Sequence, residues 1–328
     1  MHPRSHIQAA LIAAYNNEEA SVATVDPVLR VDGLTLAFGG VKALNGVGFD
    51  VRPGSITTVI GPNGAGKTSL FNTISGFYRP QSGSVFFEGR DITRLPAPAR
   101  ARLGLARSFQ NIALFRGMSV LDNIKLGRHC QLKTNIFQSL FYLGAARREE
   151  MELRADIEAR IIDFLEIDHI RHAPVAALPY GLQKRVEMAR ALAMQPRVLM
   201  LDEPVAGMNR EETEDMARFI LDVNAEWGVT VLMVEHDMGL VMDLSDHVVV
   251  LNFGQVIAQG KPAEVQGNPE VVRAYLGSGD VTELRERLRR GRAQAQAAGG
   301  ANGAAGGNAN AGHGVTPRDA HAPAQEGV

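Results

Sequence analysis

The stretch VIGPNGAGKTSL, Val59 to Leu70, ends an apolar run in a loop with Gly61, Gly64 and Gly66, followed by Lys67, Thr68 and Ser69. Gly61, Gly66, Lys67 and Thr68 satisfy the spacing G-x-x-x-x-G-K-[ST]. Glycines let successive backbone N–H groups converge on phosphate oxygens at the positive end of the helix that follows. A lysine there neutralises β and γ phosphates, and the threonine hydroxyl completes a Mg²⁺ shell. Ahead of the loop, SITTVIG has the β-branched enrichment of a buried strand. Behind it, Leu70, Phe71, Ile74 and Phe77 fall at helical spacing. The reading is strand, phosphate loop, helix, with a nucleoside triphosphate as ligand.

Such a site needs a metal-binding acid and a group that handles water. In VLMLDEP, Val198 to Leu201 form a buried strand whose end carries Asp202, suited to Mg²⁺, and Glu203, suited to accept a proton from attacking water. Acids at the C-terminal end of a strand lie where α/β sheets place ligands. A third apolar strand, in VTVLMVEHD, closes at His236, a candidate donor to a γ-phosphate or an ordinary structural histidine.

Outward from this centre, VLRVDGLTLAFGG and GVGFDVRPGSITTVIG alternate apolar and polar residues as short antiparallel strands do. From about Gly104 to Ala176 the chain reads as a helical insert, with Ile157, Ile161, Phe164 and Leu165 on one face of an otherwise charged helix. DHVVVLNFGQVIAQG reads as two strands joined at Asn252 to Gly254. The predicted fold class is α/β: a P-loop NTPase core with a mostly parallel sheet, an antiparallel β subdomain and an inserted helical subdomain.

The ends differ from the middle. Residues 1–27 hold a short apolar patch that runs into Asn16, Asn17, Glu18 and Glu19, which reads as a flexible extension rather than an export signal. Residues 278–328 become nearly all Ala, Gly, Asn and Pro, too poor in apolar surface to offset chain entropy. The Arg-rich piece Arg285 to Arg292 reads as solvated. Lys and Arg number 34 against 36 Asp and Glu, a net charge of −2 without the basic excess of a nucleic-acid binder. The single cysteine, Cys130, cannot form an intrachain disulfide, and no apolar run approaches the roughly 18 residues that cross a bilayer.

With these residues in place, the chain resembles the ATP-binding subunits of ABC transporters over residues 28–277. The likeness rests on motifs in family order: the phosphate loop, a glutamine loop at Gln110 in ARSFQNIALF, a signature-like LPYGLQKR at Leu178 to Arg185, LMLDEP, and His236. Stretches such as GFYRPQSGSV, VEHDMGLVMDLSD and NPEVVRAYLG look like the subgroup that serves uptake of branched-chain amino acids. The resemblance implies ATP and Mg²⁺ as cofactors. It implies nucleotide contacts from Phe38, Gly61, Asn63, Gly64, Gly66, Lys67, Thr68 and Ser69, and from Tyr180 and Gly181 across a dimer. It implies metal contacts from Thr68, Gln110 and Asp202, with Glu203 as general base, His236 as γ-phosphate sensor and Gln110 as the link to the insert.

The partners implied are a second ATPase subunit of a different chain, two membrane permease subunits and, indirectly, a periplasmic binding protein. Nucleic acid is not among them. The implied location is the cytoplasmic face of the bacterial inner membrane. An exporter-type ATPase of the lipopolysaccharide kind, a soluble ABC-type ATPase and a phosphate-loop kinase are the competing readings. The sequence departs from the family signature at Pro179 and Leu182, where the usual L-S-G-G-Q serine is missing, and has Asn209 where aspartate is common.

Overall fold

In VLRVDGLTLAF every second residue is apolar until Gly33, and β1 (Leu29–Phe38) buries Leu29, Val31, Leu34 and Leu36 accordingly. The alternation slips between Val31 and Leu34 because the pairing register shifts there. The computed structural model describes residues 26–108, 113–128 and 157–276. Strand β1 turns at Gly39 and Gly40 into β2 (Val41–Val51), and both pair antiparallel. With β4 (Ser82–Phe87) and β5 (Arg90–Asp91) they form a four-stranded sheet in the order β2-β1-β4-β5.

The second sheet is built from β3 (Ile56–Ile60), β6 (Leu105–Arg107), β7 (Val198–Asp202), β8 (Thr230–Val234), β9 (His247–Asn252) and β10 (Gln255–Gly260). Its order is β10-β9-β3-β8-β7-β6, parallel throughout except for β10 against β9. Among the described residues the α-helices are α1 (Lys67–Ile74), α2 (Ala97–Arg102), α3 (Val120–Arg128), α4 (Tyr180–Leu192), α5 (Arg210–Trp227), α6 (Met238–Leu244), α7 (Pro262–Gln266) and α8 (Pro269–Leu276).

Parallel strands are covered on both faces, and the side chains divide by the period of two. Val198 and Met200 of β7, with Leu232 and Val234 of β8, join Leu70, Phe71 and Ile74 of α1 and the inner side of the antiparallel sheet in one core. Leu199, Leu201, Val231 and Met233 point the other way, into a core with Val186 and Met188 of α4 and Phe219, Ile220 and Val223 of α5. By the same alternation Asp202 falls on the α1 side and Glu235 on the α4–α5 side.

Arg100 is the bulkiest fully buried side chain among the described residues. Its guanidinium donates to the carbonyls of Thr73 and Ile74 at the end of α1, and to those of Thr93 and Leu95. The bond to Ile74 O satisfies a carbonyl that the last turn of the helix leaves without an intrahelical partner, while Thr73 O also accepts from Gly76 N–H. Burial depresses the Arg100 group to about 10.

Two sequence expectations need correction. The phosphate-loop helix stops at Ile74, and Phe77 is 55% exposed, because Ser75 closes the helix and Gly76 takes φ 85. The insert predicted to begin near Gly104 starts later, since Leu105–Arg107 is strand β6, paired parallel with β7. Three residues are too few for a period to be read. Beyond the gap, Ile157, Ile161 and Leu165 are buried as expected, and Phe164 packs against Phe219 and Trp227 at ring-centroid distances of 6.2 and 4.8 Å. That turn, Glu158–Ile162, is a π-helix. Residues 1–25, Gln110, Cys130 and the tail from 277 onward lie outside the described residues.

Candidate nucleotide site

The phosphate loop leaves β3 at Gly61 and enters α1 at Lys67. Two glycines are demanded by close approach. A Cβ at Gly61 would stand 2.1 Å from the carbonyl oxygen of Leu251. At Gly66, φ is 107 and a Cβ would meet the carbonyl oxygen of Ala43 at 2.5 Å. The turn between β9 and β10 reinforces this side, with Gly254 N–H donating to Ala65 O and Asn45 N–H to Gly254 O. The loop is thus wedged between β2 and the β9–β10 turn, and Asn63, Gly64 and Thr68 are left at the surface. Ser69 is half-buried.

Lys67 is buried, and its Nζ donates to Gly61 O at 2.6 Å and Pro62 O at 3.2 Å. Burial pushes the ammonium below the usual lysine range, while the charges of Glu203 and then Asp202 pull it back up. The loop cation and the acid pair from β7 therefore share one electrostatic environment, although 135 residues separate Lys67 from Asp202.

Asp202 is 2% exposed, and its Oδ2 accepts from Arg107 Nη2 at 2.7 Å. Arg107 Nη1 donates in turn to Asn72 Oδ1 and Ser75 Oγ, and the guanidinium lies 5.5 Å from the Phe71 ring centroid. One arginine at the end of β6 thus binds the metal-acid candidate to helix α1. Sequence reading missed Arg107, whose sole cue was a charge closing a very short strand.

Glu203 takes φ 50, a left-handed backbone uncommon for a residue with a side chain. Such a conformation costs on the order of 1–3 kcal/mol and persists where surroundings over-determine it, most often at functional sites. His236 Nδ1 lies 3.9 Å from Glu203 Oε1 and 4.0 Å from Glu235 Oε2. The β7 and β8 ends therefore bring Glu203 and His236 together, as their strand-end positions implied. Glu235 was also missed; an acid beside a histidine at the end of an apolar strand was its signal.

The signature-like segment opens α4, with Pro179 as its N-cap residue and no side-chain cap. Tyr180 faces the loop after Glu203: a Cβ on Gly207 would stand 3.3 Å from its ring. Burial, then the charges of Glu187 and Glu203, push the Tyr180 phenol up. Gly181 is buried against the Glu212 carboxylate, whose Oε1 lies 2.2 Å from where a Cβ would be. Asn209 caps α5: its side chain accepts from Glu212 N–H at 3.0 Å, and Glu212 Oε2 accepts from Asn209 N–H at 3.0 Å. Asparagine and aspartate cap comparably well, so the departure at Asn209 keeps the helix start intact.

Phe38 ends β1 and is 48% exposed, with the Tyr78 ring edge-on at 5.2 Å. Gln81 clamps Ala37 beside it through both its N–H and its carbonyl.

The donor set suits Mg²⁺. Thr68 offers a hydroxyl and Asp202 a carboxylate, hard oxygen ligands of the kind the ion takes. Among the described residues no cluster of three or more His, Cys, Asp or Glu forms a protein-only cage. Magnesium is ordinarily held by one or two carboxylates together with substrate phosphates, which matches what the chain provides.

A profile described as ABC transporter matches residues 44–206. The high-affinity branched-chain amino acid transport ATP-binding protein BraF of Pseudomonas aeruginosa is 43% identical over 251 residues, covering 76% of this chain and 98% of its own. The chain belongs to the ABC transporter ATP-binding proteins.

The cassette is also 41% identical to the branched-chain amino acid transport ATP-binding protein LivG of Escherichia coli K12, with the same coverage of both chains. A profile described as branched-chain amino acid ATP-binding cassette transporter matches residues 255–281. Among solved structures, an ATP-binding cassette of an ABC transporter in its ADP conformation superposes with a TM-score of 0.66 at 35% identity, covering 76% of this chain and 98% of that one. The cassette fold, with its parallel core and antiparallel sheet, is thus shared. Among the described residues, no helix is long and apolar enough to cross a membrane.

Proposed function

We propose that this cassette is the ATP-hydrolysing subunit that powers import of branched-chain or related amino acids. The buried Lys67 held on the phosphate loop by Gly61 O and Pro62 O, with the charges of Glu203 and Asp202 acting on it, carries this reading. The names of BraF and LivG support the cargo class. ATP lies with its phosphates on the loop of Gly61, Asn63, Gly64 and Gly66, contacted by Lys67 and Ser69, and with its base against Phe38. Thr68, Asp202 and Gln110 would hold Mg²⁺, which would supply charge neutralisation at the phosphates. Glu203 accepts the proton of the attacking water, and His236 donates to the γ-phosphate.

A second ATPase subunit of a different chain completes the site. The first-turn amides of α4, at Tyr180 and Gly181, face the partner's nucleotide. Without the signature serine, one charge-assisted hydrogen bond of about 1.5–3 kcal/mol is missing there, so the two composite sites differ in rate. ATP favours the closed pair because only that state makes contacts from both sides, and hydrolysis releases it. Two permease subunits at the cytoplasmic face of the membrane take up the motion, with a periplasmic binding protein delivering cargo.

Glu203→Gln tests the chemistry. Turnover should fall by about 10²–10⁴-fold with MgATP binding retained. A variant that hydrolyses as fast as the parent removes Glu203 from its role.

A further inference from the structure

Glu235 is a fully buried carboxylate that the chemistry above leaves without a task. Ionised acids are almost never fully buried unless their oxygens are bonded, so a packing role alone would be served by an apolar side chain. The bonds Glu235 makes say what it joins.

The backbone ladder between β7 and β8 runs out where Glu203 N–H donates to Val234 O at 3.0 Å. Past that point the two segments diverge, one through Val205 toward Gly207, the other through His236 toward Asp237. Glu235 spans the divergence. Val205 N–H donates to its Oε1 at 3.4 Å, and His236 N–H donates to its Oε2 at 3.1 Å. Val205 lies two residues beyond Glu203, whose left-handed backbone has to be held from outside. The far end of the same loop packs on Tyr180 through Gly207.

We propose that Glu235 is a positioning residue that ties the loop following Glu203 to the strand end bearing His236, so that these two side chains move as one unit. The inference rests on the roles proposed above for Glu203 and His236. Its consequence is mechanical: a shift of His236 is passed to the loop of Val205 and Gly207, and from there to Tyr180. Burial pushes the Glu235 carboxyl up while the His236 N–H, foremost among its donors, pulls it down.

Glutamine at this place keeps the volume and one acceptor but sets an NH₂ against the second backbone donor. The test therefore uses the full chain with Glu235→Gln and Glu235→Ala. It reads thermal unfolding, MgATP binding by calorimetry, and amide exchange in peptides covering 203–209 and 235–239. ATP turnover is measured on the chain co-purified with its transporter subunits. In Glu235→Gln both segments should exchange about tenfold faster together while β3 and α5 stay at parent rates. The kcat should fall at least about tenfold with KM changed less than about threefold.

Parent-like exchange in either segment, faster exchange spread evenly over the chain, or an undiminished kcat overturns the proposal. Should Glu235→Ala fail to fold, Glu235→Gln decides. A parent chain that takes up no MgATP overturns the ATPase reading itself, whereas normal uptake with unlinked exchange overturns the Glu235 proposal alone.

Discussion

Arg107 donates from Nη2 to Asp202 Oδ2 across 2.7 Å, with 7% and 3% of the two side chains exposed. Such a pair matters less for what it adds than for what its breakage leaves behind. Arg107→Ala strands a buried carboxylate beside the phosphate loop and should cost about 3–5 kcal/mol in urea unfolding. Adding Asp202→Asn to Arg107→Ala should recover a substantial part of that loss, because the uncompensated charge is gone. Additive losses in the double variant would contradict this account.

Gly66→Ala tests the wedge that shapes the loop. With φ at 107, and a Cβ only 2.5 Å from a backbone oxygen of β2, neither the loop nor the strand can keep its place. The left-handed conformation alone costs roughly 1–2 kcal/mol for a residue with a side chain. MgATP affinity measured by calorimetry should drop by more than about tenfold, the equivalent of 1.4 kcal/mol. Parent-like affinity would mean that the loop has room to relax.

The cap of α5 offers a milder check. Asn209→Ala removes the acceptor for Glu212 N–H and should lower stability by about 1 kcal/mol. Asn209→Asp should fall within about 0.5 kcal/mol of the parent, since both residues cap well. Thermal unfolding of the pair separates a capping role from a special need for asparagine.

Acid–base behaviour follows from Glu235. Burial holds its carboxyl above the ordinary 4.5, against the opposing charge of His236 nearby. The folded chain then binds this proton more tightly than the unfolded chain. The resulting stabilisation is full below about pH 4.5 and is lost as pH rises through the folded value. Glutamine does not ionise there. Stability of the parent minus that of Glu235→Gln should therefore be larger at acid pH and shrink toward neutrality in denaturant titrations. A difference independent of pH would show that Glu235 does not titrate in the fold.

The parts of this protein legible in its sequence are those with a short period or a fixed spacing. The phosphate loop, the β7 acids and the two strands on either side of Phe253 each announce themselves within a short stretch of local sequence. Phe77 misled because helical spacing continues past Ser75, where Gly76 turns the backbone away. Strand β6 was invisible because it is only three residues long and exists by pairing with β7. Arg107 and Glu235 were missed for a related reason. Each acquires its meaning from partners far along the chain, Asn72 and Asp202 for one and Val205 for the other.

The division of side chains between the two faces of the second sheet limits how this chain can change length in evolution. Removing one residue between Trp227 and Thr230 would draw Glu235 into the place of Val234 and His236 into that of Glu235, sending a carboxylate into the oily layer against α1 and taking the acceptor out of the joint. Indels should therefore be purged from the tight entries to β7 and β8. They should accumulate instead at outer bends away from the site, such as Glu88–Gly89, where both residues are exposed.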